Sequence, residues 1–203
     1  MITNVDSKLF ENWLSVVGIG ESGLVDLSQA ARGLVDRATI IVGGKSHLAM
    51  LDPSDRRKRI VWTSPIEDSI ESILKYRGTP VCILASGDPL CYGIGVTLLR
   101  HISIEQMTII PAPSTFSLIC ARLGWSLTDV ETLSLCGRAP DFLAAILAPG
   151  AKLLILSAGG DTPQIVADLL TQRGYGDSQI TILEHLGGDH ERSISGIARS
   201  WSR

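Results

Sequence analysis

Val81-Cys82-Ile83-Leu84-Ala85-Ser86-Gly87-Asp88-Pro89-Leu90-Cys91-Tyr92-Gly93 is the stretch on which the fold of this chain turns. Its first five residues are an unbroken apolar run, short enough for a strand and suited to a sheet covered on both faces. A Gly and a Pro around one carboxylate then make a rigid turn at the carboxyl end of that strand, and Ile94 to His101 reads as a helix. Ligands of open α/β sheets bind outside the carboxyl ends of the strands. The turn therefore offers backbone groups and Asp88 to a ligand. An ordinary turn, with Asp88 capping the residues after it, is the alternative.

Outward from this stretch, apolar runs alternate with amphipathic segments. Trp13–Ile19, Thr39–Val42, Ile60–Thr63, Val81–Ala85 and Met107–Ile110 read as strands. Gln29–Ala38, Ser46–Leu51, Ile66–Tyr76 and Ile94–His101 read as helices between them, which predicts a parallel α/β sheet. Pro111 and Pro113 interrupt the pattern, and a helix over Thr115–Leu123 follows. The pattern then restarts, with strands at Glu131–Leu135, Lys152–Ser157, Gln179–Leu183 and Glu191–Ile197. A helix over Pro163–Arg173 is read as capped by Thr162 and stopped by Gly174. The expected architecture is two α/β lobes, 1–112 and 113–203, with a ligand cleft between them. Ala198–Arg203 reads as the start of a helix or turn that leaves the second sheet unclosed, which suggests a domain cut from a longer polypeptide.

The 203 residues are 45% apolar and 19% charged, a composition that suits a buried core and excludes a disordered chain. A net charge of only -3 gives no basic excess for a nucleic-acid partner. Cys82, Cys91, Cys120 and Cys136 form no C-x-x-C pair, and Cys82 and Cys120 read as buried thiols of a reducing compartment. Residues 1–12 lack the basic start and apolar run of a secretory leader, and no apolar stretch approaches the ~20 residues of a membrane span. A soluble, cytoplasmic protein with no membrane partner is expected.

Familiar glycine motifs fail on inspection. Gly18-Ile19-Gly20-Glu21-Ser22-Gly23 matches G-x-G-x-x-G, but the second strand ends Val42-Gly43-Gly44-Lys45 with no acid for a ribose. The helix after the glycines also starts late, near Ser28. Gly44-Lys45-Ser46 resembles the end of a P-loop, yet its first glycine position is Thr39. No G-x-S-x-G elbow is present, and His47, His101, His185 and His190 show no zinc spacing, so they read as surface or helix-end residues with no metal. What remains is a set of glycine- and proline-shaped loops suited to a cofactor held largely by backbone groups.

Together these loops resemble the tetrapyrrole (corrin/porphyrin) methyltransferase family, from Trp13 to about Ile197. Val17-Gly18-Ile19-Gly20 with Leu27-Ser28, Ser86-Gly87-Asp88-Pro89 with Tyr92-Gly93, Pro111-Ala112-Pro113-Ser114-Thr115, and Thr162-Pro163-Gln164-Ile165 with Leu169-Leu170 carry the resemblance. Val42-Gly43-Gly44-Lys45 with His47-Leu48, Cys120-Ala121-Arg122-Leu123-Gly124, Leu135-Cys136-Gly137-Arg138, and Glu184-His185-Leu186-Gly187-Gly188 with Glu191-Arg192 are similar to one branch. That branch methylates carbons 5 and 15 of a precorrin in cobalamin biosynthesis. Its usual histidine before Gly137-Arg138 is Cys136 here.

The resemblance implies S-adenosyl-L-methionine as cofactor, S-adenosyl-L-homocysteine as product, and a precorrin tetrapyrrole as substrate. It implies cofactor contacts from Ile19, Gly87, Asp88, Pro89, Cys91, Ser114 and Thr115, and from Ser157, Ala158 and Leu186 of the second lobe. It also implies a homodimer, and a fused or separate decarboxylating domain that methylates carbon 15. Glu21, Glu184 and His185 are candidates for an assisting base. Arg56-Arg57-Lys58-Arg59 either steers a polycarboxylate substrate or forms a solvated loop. Methylation of another macrocycle carbon, and a nucleotide-binding regulatory module, stay open as alternatives.

Overall fold

A computed structural model describes residues 11–202. The leader reading of residues 1–12 falls almost wholly outside them, as does Arg203. The chain divides into two compact units, the first ending at Ser114 and the second beginning at Thr115.

The first unit is a five-stranded, all-parallel sheet. Its strands are β1 (Leu14–Ile19), β2 (Ile40–Gly43), β3 (Lys58–Val61), β4 (Val81–Ser86) and β5 (Met107–Ile110). The helices α1 (Gln29–Arg37), α2 (Lys45–Ala49), α3 (Ile66–Leu74) and α4 (Ile94–Leu98) connect them. Alternation along the strands sorts the side chains. Leu14 and Val16 of β1 and Val81, Ile83 and Ala85 of β4 meet Ile70 and Ile73 of α3 and Leu98 of α4. Val17, Ile19, Cys82 and Leu84 point the other way, onto Ala31, Leu34 and Val35 of α1 and Leu48 of α2. Both faces are buried, so the strands read as continuous apolar runs.

Strand order is β3-β2-β4-β1-β5. The connection leaving β1 passes over one face toward β2, and the one leaving β4 passes over the other face toward β5. Adjacent strands whose connections diverge to opposite faces open a crevice at their carboxyl ends. Here those ends are Ile19 and Ser86, paired in register.

Two sequence readings shift here, and a third holds. β3 begins at Lys58, two residues before the apolar run, because it is an edge strand where exposed basic residues are tolerated. Thr63 lies beyond it. The helix after Gly93 ends at Leu98, not His101. Helix α1 does start late, with the Ser28 hydroxyl accepting from the Ala31 N–H at 3.2 Å.

The second unit contains α5 (Thr115–Leu123), β6 (Glu131–Ser134), β7 (Leu153–Leu156), α6 (Thr162–Gln172), β8 (Gln179–Glu184) and β9 (Arg192–Ile197). β6 and β7 pair in parallel, while β8 and β9 form a separate antiparallel hairpin. Leu133, Leu135, Leu143, Val166, Ala167 and Leu170 form its core. The expected cap of α6 is corrected. Asp161 is the residue before the helix, and buried Thr162 turns its hydroxyl back to accept from the N–H groups of Ala158 (3.1 Å) and Gly159 (3.2 Å). Gly174 follows the helix with φ +84°, as a stop residue should.

Candidate functional site

The β1/β4 crevice is closed at its base by backbone. Gly87 donates its N–H to the Ile19 carbonyl at 2.8 Å and accepts from the Ala112 N–H at 3.1 Å. One residue thus ties the end of β1 to the segment after β5. Gly87 has φ +55°, and a Cβ at Gly18 would stand 2.0 Å from the Gly87 oxygen and 2.4 Å from the Ala112 nitrogen. Only glycine fits at residue 18. At Gly20, by contrast, a Cβ would meet nothing within 4 Å. The backbone at Gly20 therefore borders open space.

Beyond Gly87 the loop folds around one carbonyl. The Pro89 oxygen accepts from the Gly95 N–H at 2.9 Å, and a Cβ at Gly93 or Gly95 would come within 2.6 or 2.7 Å of it. Tyr92 adopts φ +55°, a strained conformation for a bulky residue that occurs preferentially at functional sites. The Asp88 carboxylate accepts from the Leu90 N–H at 2.8 Å, so the turn-capping role is present. A carboxylate has further acceptor capacity, so that bond does not exhaust it. The Asp88 carbonyl accepts from the Cys91 N–H at 3.0 Å. The Cys91 thiol is pushed up by burial and by the Asp88 charge, against a hydrogen bond with Ser114. Ile19, Gly87, Asp88, Pro89, Cys91 and Ser114 therefore form one connected cluster in the first unit.

The remaining candidates lie in the second unit. Ser157 and Ala158 follow β7, exposed; the Ser157 carbonyl accepts from the Cys136 thiol at 3.3 Å. Thr115 and Ser157 line a cavity of about 490 Å³, bordered by consecutive residues of β7 and β8 and by Val166 and Leu170. Leu186 sits between His185, at φ +53°, and Gly187, at φ +84°. That loop is held by Glu191, which accepts from the Gly187 N–H at 2.7 Å and pairs with Arg122 through Nη2 at 2.8 Å. The Arg122 guanidinium, and then the Gly187 N–H, hold the Glu191 carboxyl down at about 2. Two motifs of the branch resemblance are thus one structural unit.

Three of the four basic-run residues serve the chain itself. Arg57 grips both oxygens of Asp55 from Nε at 3.0 Å and reaches the Val35 and Ala38 carbonyls. Arg59 reaches the Asp52 and Asp55 carbonyls, and Lys58 the Tyr76 hydroxyl. Of the candidate bases, Glu184 is paired with Arg192 across the hairpin.

Sequence reasoning missed His47. It does lie in the last turn of α2, but its ring is half-buried and its Nε2 is 3.1 Å from the Ser86 hydroxyl. The signal available was Gly43-Gly44, since a Cβ at Gly43 would stand 3.2 Å from the His47 Cβ.

A parallel sheet with a glycine-tied crevice at its switch point, followed by a second α/β unit, defines a class, and sequence assigns it. A sequence model of the Tetrapyrrole (Corrin/Porphyrin) Methylases matches residues 14–200, and the chain belongs to that family. It is similar to the decarboxylating precorrin-6Y C(5,15)-methyltransferase of a Sinorhizobium species, 41% identical over 197 residues, which covers 97% of this chain and 48% of the relative. The Mycobacterium tuberculosis protein of the same name is 40% identical over 92% of this chain and 47% of its own length. The chain spans about half the length of these relatives. The cobalt-precorrin-7 C(5)-methyltransferase of Salmonella typhimurium is 35% identical over 88% of both chains. Among solved structures, the precorrin-6Y methylase of Archaeoglobus fulgidus superposes with TM-score 0.70 at 24% identity, covering 94% of this chain and 92% of that one. A uroporphyrin-III C-methyltransferase from Thermus thermophilus, solved with S-adenosylhomocysteine, gives 0.65 at 20% identity, covering 92% and 83%. These two establish the fold.

Proposed function

We propose that the chain transfers a methyl group from S-adenosylmethionine to carbon 5 of a precorrin in cobalamin biosynthesis. The observation that carries this reading is the cluster at the β1/β4 crevice, where Gly87 joins the Ile19 and Ala112 backbones beside open space at Gly20. Backbone donors and acceptors, room above them and a nearby carboxylate suit a cofactor with an amino-acid end and a nucleoside end. Carbon 5 is favoured over carbon 15 because the relative matched over 88% of both chains is named for carbon 5 alone, while the relatives named for both carbons are about twice as long.

When bound, the cofactor supplies an already activated methyl group. The chain's own task is then to bind, align and exclude water, for which orientation contributes most. The rigid turn at Gly87-Asp88-Pro89 serves alignment, and Asp88 is assigned as an acceptor for the cofactor's ammonium or hydroxyl donors. Cys91 and Ser114 flank it, and Thr115, Ser157, Ala158 and Leu186 of the second unit belong to the same assignment. Carbon-15 methylation with decarboxylation falls to a separate domain. A homodimer forms part of the proposal, supported by the exposed apolar residues Val96 and Leu99 at and just after α4, and light scattering tests it. A cytoplasmic setting is supported by the free, buried thiols of Cys82 and Cys120.

Incubation with precorrin and isotope-labelled methyl donor tests the reaction. The expected product gains one methyl at carbon 5 and retains its carboxyl groups. Label at another carbon, or loss of carbon dioxide, overturns the assignment.

A further inference from the structure

His47 and Ser86 have no part in the cofactor contacts proposed above, although Ser86 immediately precedes Gly87. Side chains 82, 84 and 86 of β4 share the face covered by α1 and α2, which brings Ser86 to His47 across 39 residues of sequence. The histidine presents two different nitrogens. Nε2 lies 3.1 Å from the Ser86 hydroxyl, while Nδ1 is enclosed, has no hydrogen-bond partner among the described residues, and faces Gly44.

That asymmetry fixes the proton. A proton on Nδ1 would be a buried donor with no acceptor, which costs more than a lone pair facing the Gly44 methylene. The ring is therefore neutral with its proton on Nε2. Burial, which lowers the His47 pKa below its ordinary 6.5, acts in the same direction. An Nε2–H donating to Ser86 fills a lone pair of the hydroxyl and frees its proton. Ser86 is exposed at the carboxyl end of β4, beside the crevice.

The geometry points to Ser86 as a hydrogen-bond donor to a carboxylate of the bound ligand, oriented by His47 as a positioning residue. This rests on the methyltransferase reading. Two sources share that chemistry: the amino-acid carboxylate of the cofactor, and the carboxylate side chains of the macrocycle.

The experiment has three arms, each on folded variants checked by circular dichroism. Ser86→Ala is expected to weaken one ligand roughly tenfold or more, the scale of one hydrogen bond to a charged group. A raised Kd for S-adenosylhomocysteine in calorimetry assigns the cofactor; a raised precorrin KM with unchanged Kd assigns the macrocycle. Neither change overturns the donor role. In the second arm, His47→Ala loses as much as Ser86→Ala and the double variant loses no more, while His47→Gln, which keeps a terminal N–H, retains affinity. Additive losses overturn the positioning role. In the third, nitrogen-15 correlation spectra of the ligand-free protein show His47 protonated at Nε2 alone; an Nδ1 proton overturns the arrangement. A wild-type chain that binds no S-adenosylhomocysteine overturns the functional reading itself, whereas normal wild-type binding with an unaffected Ser86→Ala removes only this inference.

Discussion

The Gly87 loop of the first unit and the Gly159-Gly160 loop of the second both follow a parallel strand and carry glycines, yet they are built on opposite principles. Around Gly87 the backbone is saturated with close contacts: Gly18 has no space for one more carbon, and Pro89 is wrapped by Gly93 and Gly95. Around Gly159 and Gly160 a Cβ would meet nothing within 4 Å, and the loop is secured by a side chain, the Thr162 hydroxyl. One loop is rigid because its backbone segments touch. The other is pinned at one polar point and open elsewhere.

The largest effect that could break this comparison is Gly18→Ala. Its Cβ collides with the Gly87 oxygen and the Ala112 nitrogen, both backbone atoms that cannot move independently of the sheet. We expect a loss of about 3 kcal/mol or more in urea unfolding, at the upper end for overpacking, together with loss of S-adenosylhomocysteine binding. An unchanged midpoint would show that the three segments are not tightly joined.

Gly87→Val comes next. A β-branched residue at φ +55° costs about 1–2 kcal/mol in backbone strain alone, and in the proposed site its side chain would stand against the cofactor. Calorimetry should detect no S-adenosylhomocysteine binding. Asp88→Ala should fold and bind more weakly by about 1.5–3 kcal/mol, the value of a charge-assisted hydrogen bond, because Asp88 lies outside the strand. If Asp88→Ala is the more damaging of the two, the cofactor is held by charge and not by backbone.

A smaller effect concerns the second unit's polar pins. The Glu191 carboxyl is held at about 2, below its ordinary 4.5, by Arg122 and the Gly187 N–H. A depressed folded-state value means the contribution is fully present above pH 4.5 and lost as pH falls through about 2. Unfolding measured across that window should show a Glu191-dependent decline that Glu191→Gln lacks. Identical acid limbs would mean the Arg122 pairing contributes nothing. The smallest expected effect is Gly160→Ala, within about 0.5 kcal/mol of wild type, since neither space nor backbone conformation opposes it.

The same contrast governs what the sequence made legible. β5 and α5 stand where Met107–Ile110 and Thr115–Leu123 were read, because buried strands and proline-bounded helices leave unambiguous patterns. The turn at Gly87-Asp88-Pro89 after β4 was equally readable, since a tight turn demands residues such as glycine and proline and both are visible in a sequence. β3 was misplaced because an edge strand can start on Lys58 and Arg59 and still pair with Ile40 and Ile41. Thr162 was read as a cap because it stands just before Pro163, but its hydroxyl serves residues before the helix, a direction no local rule specifies. His47 escaped because it lies in α2 and its partner Ser86 in β4, and a contact between distant segments has no spacing to betray it.

The central claim is that the methyl donor sits on the backbone cluster of β1, β4 and the segment after β5. Amide chemical shifts, followed while S-adenosylhomocysteine is titrated into the nitrogen-15-labelled protein, test it most directly. Saturable shifts at Gly20, Gly87, Asp88, Leu90, Cys91 and Ala112, with little change in β3, are the result predicted. Binding that leaves those amides unmoved would contradict it.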